Sequence, residues 1–165
     1  MRRLVLASLA LAMATGLAAC AGVERPPPFV ERPEPPSILQ PPRPLQCVPF
    51  ARERSGIEIY GDAVTWWAQA EGRYPRGQRP VEGGVLVRRG HADLRRGHLA
   101  VVRRILGPRD ILVGHANWLN SGEITLNVPV RDVSPNGDWS AVRVWHVPGG
   151  QWGARTYQAQ GFIWR

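Results

Sequence analysis

Residues 97–130 read GHLAVVRRILGPRDILVGHANWLNSGEITLNVPV, and this stretch decides the fold. It holds three apolar runs rich in β-branched residues: His98 to Ile105, Asp110 to Asn117 and Glu123 to Val130. Gly107-Pro108 divides the first pair, and Asn120-Ser121-Gly122 the second, as turn chemistry requires. Similar runs stand at Gly84 to Arg88 upstream, and at Val142 to Val147 and Gly161 to Arg165 downstream. Before them, Cys47 to Arg54 reads as a short helix ended by Ser55-Gly56. Pro49 fits its first turn, where a missing N–H breaks no bond. A second helix is expected over Ala63 to Ala70, capped by Asp62 and carrying Trp66 and Trp67. Helices first and antiparallel strands afterwards predict an α+β domain.

Farther out, the N-terminus has an export pattern. Met1-Arg2-Arg3 precedes an apolar run from Leu4 to about Ala14, then Leu17-Ala18-Ala19-Cys20. A basic start, a short apolar core and small residues before a cut site make a secretory signal. The core is too short for a mature membrane span of roughly 20 apolar residues. The ending resembles the lipobox of bacterial lipoproteins, which implies cleavage after residue 19 and lipidation of Cys20. Ala21 stands where an Asp would resemble an inner-membrane retention signal, so the resemblance implies an outer-membrane anchor on the periplasmic side. Residues 20–44 follow as a linker dense in proline, suited to polyproline II rather than helix or central strand. Residues 45–165 are long enough for one domain with its own core.

Composition adds limits. All 21 basic residues are arginine, and the formal net charge is +8. Such a balance favours anionic partners, but arginine without lysine also reflects base composition. Export and the lack of an aromatic–basic motif argue against nucleic acid. No phosphate-binding glycine loop or zinc-ligand spacing appears, so neither cofactor nor metal is expected.

The two cysteines, Cys20 and Cys47, would pair in an oxidising compartment. Lipidation of Cys20 leaves Cys47 without that partner. A lone thiol by itself reads as a buried structural residue. At a helix start, however, free N–H groups and the helix dipole stabilise a thiolate and lower its pKa. The same N–H groups can stabilise an oxyanion. His98, held at the start of a strand with Gly97 leaving room beside it, is the leading general base.

Gln46-Cys47, the Trp66-Trp67 helix, Gly84-Val85-Leu86-Val87 and Gly97-His98-Leu99-Ala100-Val101-Val102 resemble the CHAP family in order and spacing. The name denotes cysteine- and histidine-dependent amidohydrolases/peptidases. The resemblance spans most of residues 45 to 125, while Asp132 through Trp139 and the Gly161-Phe162-Ile163 ending look like an extension outside the family core. It implies a papain-like (NlpC/P60-type) α+β fold, with N-terminal helices packed on an antiparallel β-sheet or half-barrel. It also implies cleavage of peptidoglycan amides, either the N-acetylmuramoyl-L-alanine bond or a peptide cross-link. Cys47 is then the nucleophile, His98 the base, and Gln46 with the Cys47 N–H the oxyanion donors.

The third catalytic position falls in Val113-Gly114-His115-Ala116-Asn117-Trp118, where many relatives have Glu at the place of His115. Strand alternation puts His115 and Asn117 on one face. The Asn117 carbonyl is an acceptor in any state, whereas His115 accepts only as one neutral tautomer, so Asn117 is favoured to orient His98. Trp118 is a candidate groove residue. His91 reads as a surface residue, His146 as structural, and Asp132 and Asp138 as turn or cap residues. The replacement at His115 keeps open a second reading, a weakly active or inactive CHAP-like lipoprotein that binds peptidoglycan and tethers the envelope.

Overall fold

The computed structural model describes residues 33–90, 93 and 95–165. The signal sequence, Cys20, most of the proline-rich stretch and His91 lie outside these residues. Residues 33–165 form one compact unit.

The elements in chain order are β1 (Ser37–Leu39), α1 (Cys47–Ser55), a 3-10 turn (Ala63–Thr65), α2 (Trp66–Gln69), β2 (Arg76–Gly77), β3 (Val85–Arg88), β4 (His98–Ile105), β5 (Asp110–Ala116), β6 (Ile124–Asp132), β7 (Ala141–His146), β8 (Gln151–Trp152) and β9 (Tyr157–Ile163). Two short helices pack on an antiparallel barrel of six strands. The ring runs β6–β5–β4–β3–β9–β7, and β7 closes it by pairing Val130 with Val144 and Asp132 with Val142. The expected half-barrel is therefore corrected to a closed one. Closure follows because β7 bonds β6 along one edge, from Val142 to Val144, and β9 along the other, through Ala141 and Val142.

Strand alternation sorts side chains into two cores. Leu86, Ala100, Val102, Ile111 and Val113 fill the barrel with Trp139 and Phe162. Val85, Val87, Leu99 and Val101 point the other way, against Phe50, Ile57 and Trp66 of the helical layer. The period-two pattern thus gives β3 and β4 two buried faces. Phe162 and Ile163 are fully buried, and β9 pairs with β3. The C-terminal segment read as an extension is structurally part of the barrel.

Helix α1 begins at Cys47 and ends at Gly56, whose φ of 69° lets its N–H bond the Arg52 carbonyl. The second helix is shorter than its pattern predicts. Asp62 makes no side-chain cap, and its carbonyl instead accepts from the Thr65 N–H and hydroxyl, which tightens the entry into 3-10 geometry. Gly97 permits close approach at this turn, since a Cβ there would lie 2.6 Å from the Val64 nitrogen.

β1 was not expected within the proline-rich stretch. It pairs with the edge of β6, placing Ser37 opposite Leu126. Pro35-Pro36 and Pro41-Pro42 flank it, leaving four proline-free residues, and proline is tolerated beside an edge strand. Leu45 then donates to the Gly122 carbonyl at 2.9 Å, which fixes the chain just before α1.

Candidate active site

Cys47 is a free, half-buried thiol at the first position of α1. Burial pushes its pKa up; the Leu99, Cys47 and Val48 N–H groups and the Arg88 guanidinium pull it down without cancelling that effect. The helix start acts as anticipated in sign, but desolvation is larger. The expectation of a lowered thiol pKa is corrected on that ground.

The Leu99 N–H that reaches the sulfur belongs to the residue after His98. His98 opens β4 and is 7 % exposed. Its Nε2 lies 3.0 Å from Nδ1 of His115, which is 1 % exposed on neighbouring β5. Burial, then His115 and Arg88, holds His98 well below the ordinary histidine range. Burial also carries His115 down to about 3; Glu123 opposes this and Arg88 adds to it. Both rings are neutral near pH 7.

Neutral rings restrict the tautomers. For His98 Nδ1 to accept a proton, Nε2 must carry hydrogen and donate to His115 Nδ1. His115 then carries its own hydrogen on Nε2, a buried atom without a hydrogen-bond partner. The arrangement is chemically consistent but costs one unsatisfied donor.

The favoured assignment of Asn117 as the orienter of His98 is corrected. Strand alternation stops at Ala116, and Asn117 turns into the left-handed region at φ 59°. Its Oδ1 accepts from the Gly122 N–H at 2.9 Å, and its Nδ2 donates to Gln46 Oε1 at 2.8 Å. Asn117 therefore fixes the amide of Gln46, the residue before Cys47, with Gln46 Nε2 left as a donor. His115 alone of the two meets His98.

Trp118 walls the histidine pair. Its ring stacks on His115 at 5.1 Å between centroids and meets His98 edge-on at 4.9 Å. Glu123, fully buried, holds the loop that presents it. Burial favours the neutral acid, but the Leu119 N–H and the Ser121 hydroxyl and N–H bring the net pKa below the ordinary carboxylate value.

Arg88 is the site residue that sequence reasoning missed. It stands directly opposite His98 in the β3–β4 register. Its guanidinium lies 5.1 Å from the Trp118 ring and 4.5 Å from the Tyr157 ring. The signal was strand pairing: two adjacent β segments ending on Arg88 and beginning on His98 bring these residues together only in this register.

The other polar residues are structural. His146 Nδ1 accepts from the Gly149 N–H. Asp132 accepts from Ser134, and Asp138 from Ser140, within one loop. Among the described residues, no group of three or more His, Cys, Asp or Glu could hold a metal ion.

No curated protein matches the chain. A family model does, the CHAP domain, over residues 40–117. That span runs from the approach to α1 through β5 and includes Gln46, Cys47, His98, His115 and Asn117. The family is typically one of cysteine- and histidine-dependent amidohydrolases. With the helix-start thiol and strand-borne histidine in the family's order, residues 40–117 belong to the CHAP family and the chain carries a CHAP domain.

Proposed function

We propose that the chain is a peptidoglycan hydrolase of papain-like type that opens an amide through Cys47 and His98. The observation carrying this reading is the chain of contacts from the Cys47 sulfur to the Leu99 N–H, and from adjacent His98 to His115 at 3.0 Å. It supplies a nucleophile, a candidate base on the residue next to its N–H contact and an acceptor behind that base.

In the proposed reaction His98 Nδ1 takes the Cys47 proton as sulfur attacks the carbonyl carbon. The tetrahedral oxyanion receives hydrogen bonds from the Cys47 N–H and Gln46 Nε2. Collapse breaks the C–N bond while His98 protonates the leaving amine. His98 then deprotonates water, which attacks the thioester, releases the carboxylate product and restores the thiol. Burial leaves the resting pair neutral, so proton transfer accompanies attack rather than preceding it as a stored ion pair.

The scissile bond is the N-acetylmuramoyl-L-alanine amide or a peptide cross-link. Purified sacculi digested with wild type and Cys47→Ala test the activity, and muropeptide masses identify the bond. Equal digestion by the two proteins would sink the mechanism.

We also propose that residues 1–19 are a lipoprotein signal and that lipidated Cys20 anchors the domain in the outer membrane, facing the periplasm. The Leu17-Ala18-Ala19-Cys20 ending supports this. One acyl chain binds marginally and several bind firmly. Intact mass of membrane-extracted protein tests it: an unmodified mature cysteine or a retained leader counts against the anchor.

A further inference from the structure

Arg88 is a half-buried cation at the catalytic centre whose charge the proposed proton transfers do not need. It ends β3, and its side chain shares a small cavity with His98, His115 and Trp118. Nη1 donates to the Arg89 carbonyl at 3.1 Å, while Nε is buried and has no partner. Among the described residues no carboxylate forms an ion pair with it. The faces of Trp118 and Tyr157 hold the guanidinium in place but do not neutralise it.

Such a group is costly at rest. Removing a charge from water without a counter-ion is unfavourable. The position is also poor for the chemistry, because a cation across the strand pair from His98 disfavours the imidazolium that proton transfer creates. Its field also reaches His115 and depresses both rings. An anion delivered with the substrate would remove both penalties together. The planar guanidinium suits a planar carboxylate, which can take two parallel N–H bonds.

We infer that Arg88 is a specificity residue that binds a substrate carboxylate lying beside the scissile amide. The site then takes acidic stem peptides in preference to amidated ones. The carboxylate docks on Arg88 and neutralises it, which relieves the repulsion on the His98 imidazolium while giving up the support that Arg88 lends the thiolate. This inference rests on the hydrolase reading for the identity of the substrate, though the binding preference can be measured without turnover.

The test uses the full chain and a soluble cross-linked muropeptide dimer, which contains both candidate amides. The dimer is used with its free carboxylates and with every carboxylate converted to carboxamide. In the Cys47→Ala protein, calorimetric Kd should be at least about tenfold tighter for the free acid. Adding Arg88→Gln should reduce that ratio to about one, and Arg88→Lys, which keeps a point charge and cannot bind in the forked mode, should give an intermediate value. In the active protein the same ratio should appear in kcat/KM. Equal binding of acid and amide, or a preference that survives Arg88→Gln in a protein with wild-type circular dichroism, would overturn the assignment. A preference that is lost with Arg88 while neither form is cleaved supports the Arg88 site and removes the hydrolase reading alone.

Discussion

His98 Nε2 and His115 Nδ1 meet at 3.0 Å between β4 and β5, so a neutral imidazole rather than a carboxylate stands behind His98. A neutral acceptor orients His98 but gives its imidazolium less support than a carboxylate. His115→Glu should therefore raise the His98 pKa and move the acidic limb of kcat/KM to higher pH. His115→Ala should lower kcat on the order of 10²-fold, the scale of a misdirected general base. Initial rates across pH 4 to 9 check both. An unmoved acidic limb in His115→Glu would show that His115 does not act through His98.

The same pair makes folding stability depend on pH. Both rings have folded pKa values below the unfolded value near 6.5, so the unfolded chain binds protons first. Stability is complete above about pH 6.5 and falls as the pH drops toward about 3, the folded value for His115. The loss is on the order of 2–4 kcal/mol between pH 7 and pH 5. Urea unfolding at the two pH values measures this. His115→Gln should remove about half the slope, and a slope unchanged by it would refute the account.

Asn117 acts on Gln46 rather than on His98, which predicts a separate phenotype. Asn117→Gly keeps the left-handed backbone at φ 59° accessible and deletes both side-chain bonds. It should lower kcat by about tenfold through a loosened oxyanion donor, with KM little changed and the His98 limb of the pH profile in place. Gln46→Ala should give a similar loss, and the double variant little more, because one contact is removed twice. Additive losses would separate the two residues.

Much of this site was legible because its parts are local. Gln46-Cys47 before a helical segment and Gly97-His98 before an apolar strand announce themselves by type and order, and β4 begins and ends where its pattern does. What was hidden depends on register and on loop conformation. Alternation correctly places His115 on the inner face but fails for Asn117, because the strand ends one residue earlier and φ changes sign. Arg88 becomes part of the site only through its pairing with His98. β1 was masked by the prolines that flank it, and barrel closure depends on β7 bonding β6 on one edge and β9 on the other. No periodicity within a single segment encodes those pairings.

Gly97 offers the sharpest test of how the barrel and helical layer fix the base. A Cβ at this position would sit 2.6 Å from the Val64 nitrogen and 2.8 Å from its Cα. These are backbone atoms of the 3-10 turn, so no rotamer can relieve the clash. Gly97→Ala must push the turn away from β4 or displace the start of β4, and His98 is the first residue to move. The expected destabilisation is about 1–3 kcal/mol, the usual range for overpacking a fitted contact. Because the displaced residue carries the base, kcat should fall even where the protein remains fully folded. Thermal unfolding and initial rates on the same preparation separate the effects. Val64→Gly does not remove the clashing backbone atoms, so it should not rescue the variant, whereas relief by side-chain trimming would show that the contact had been misread.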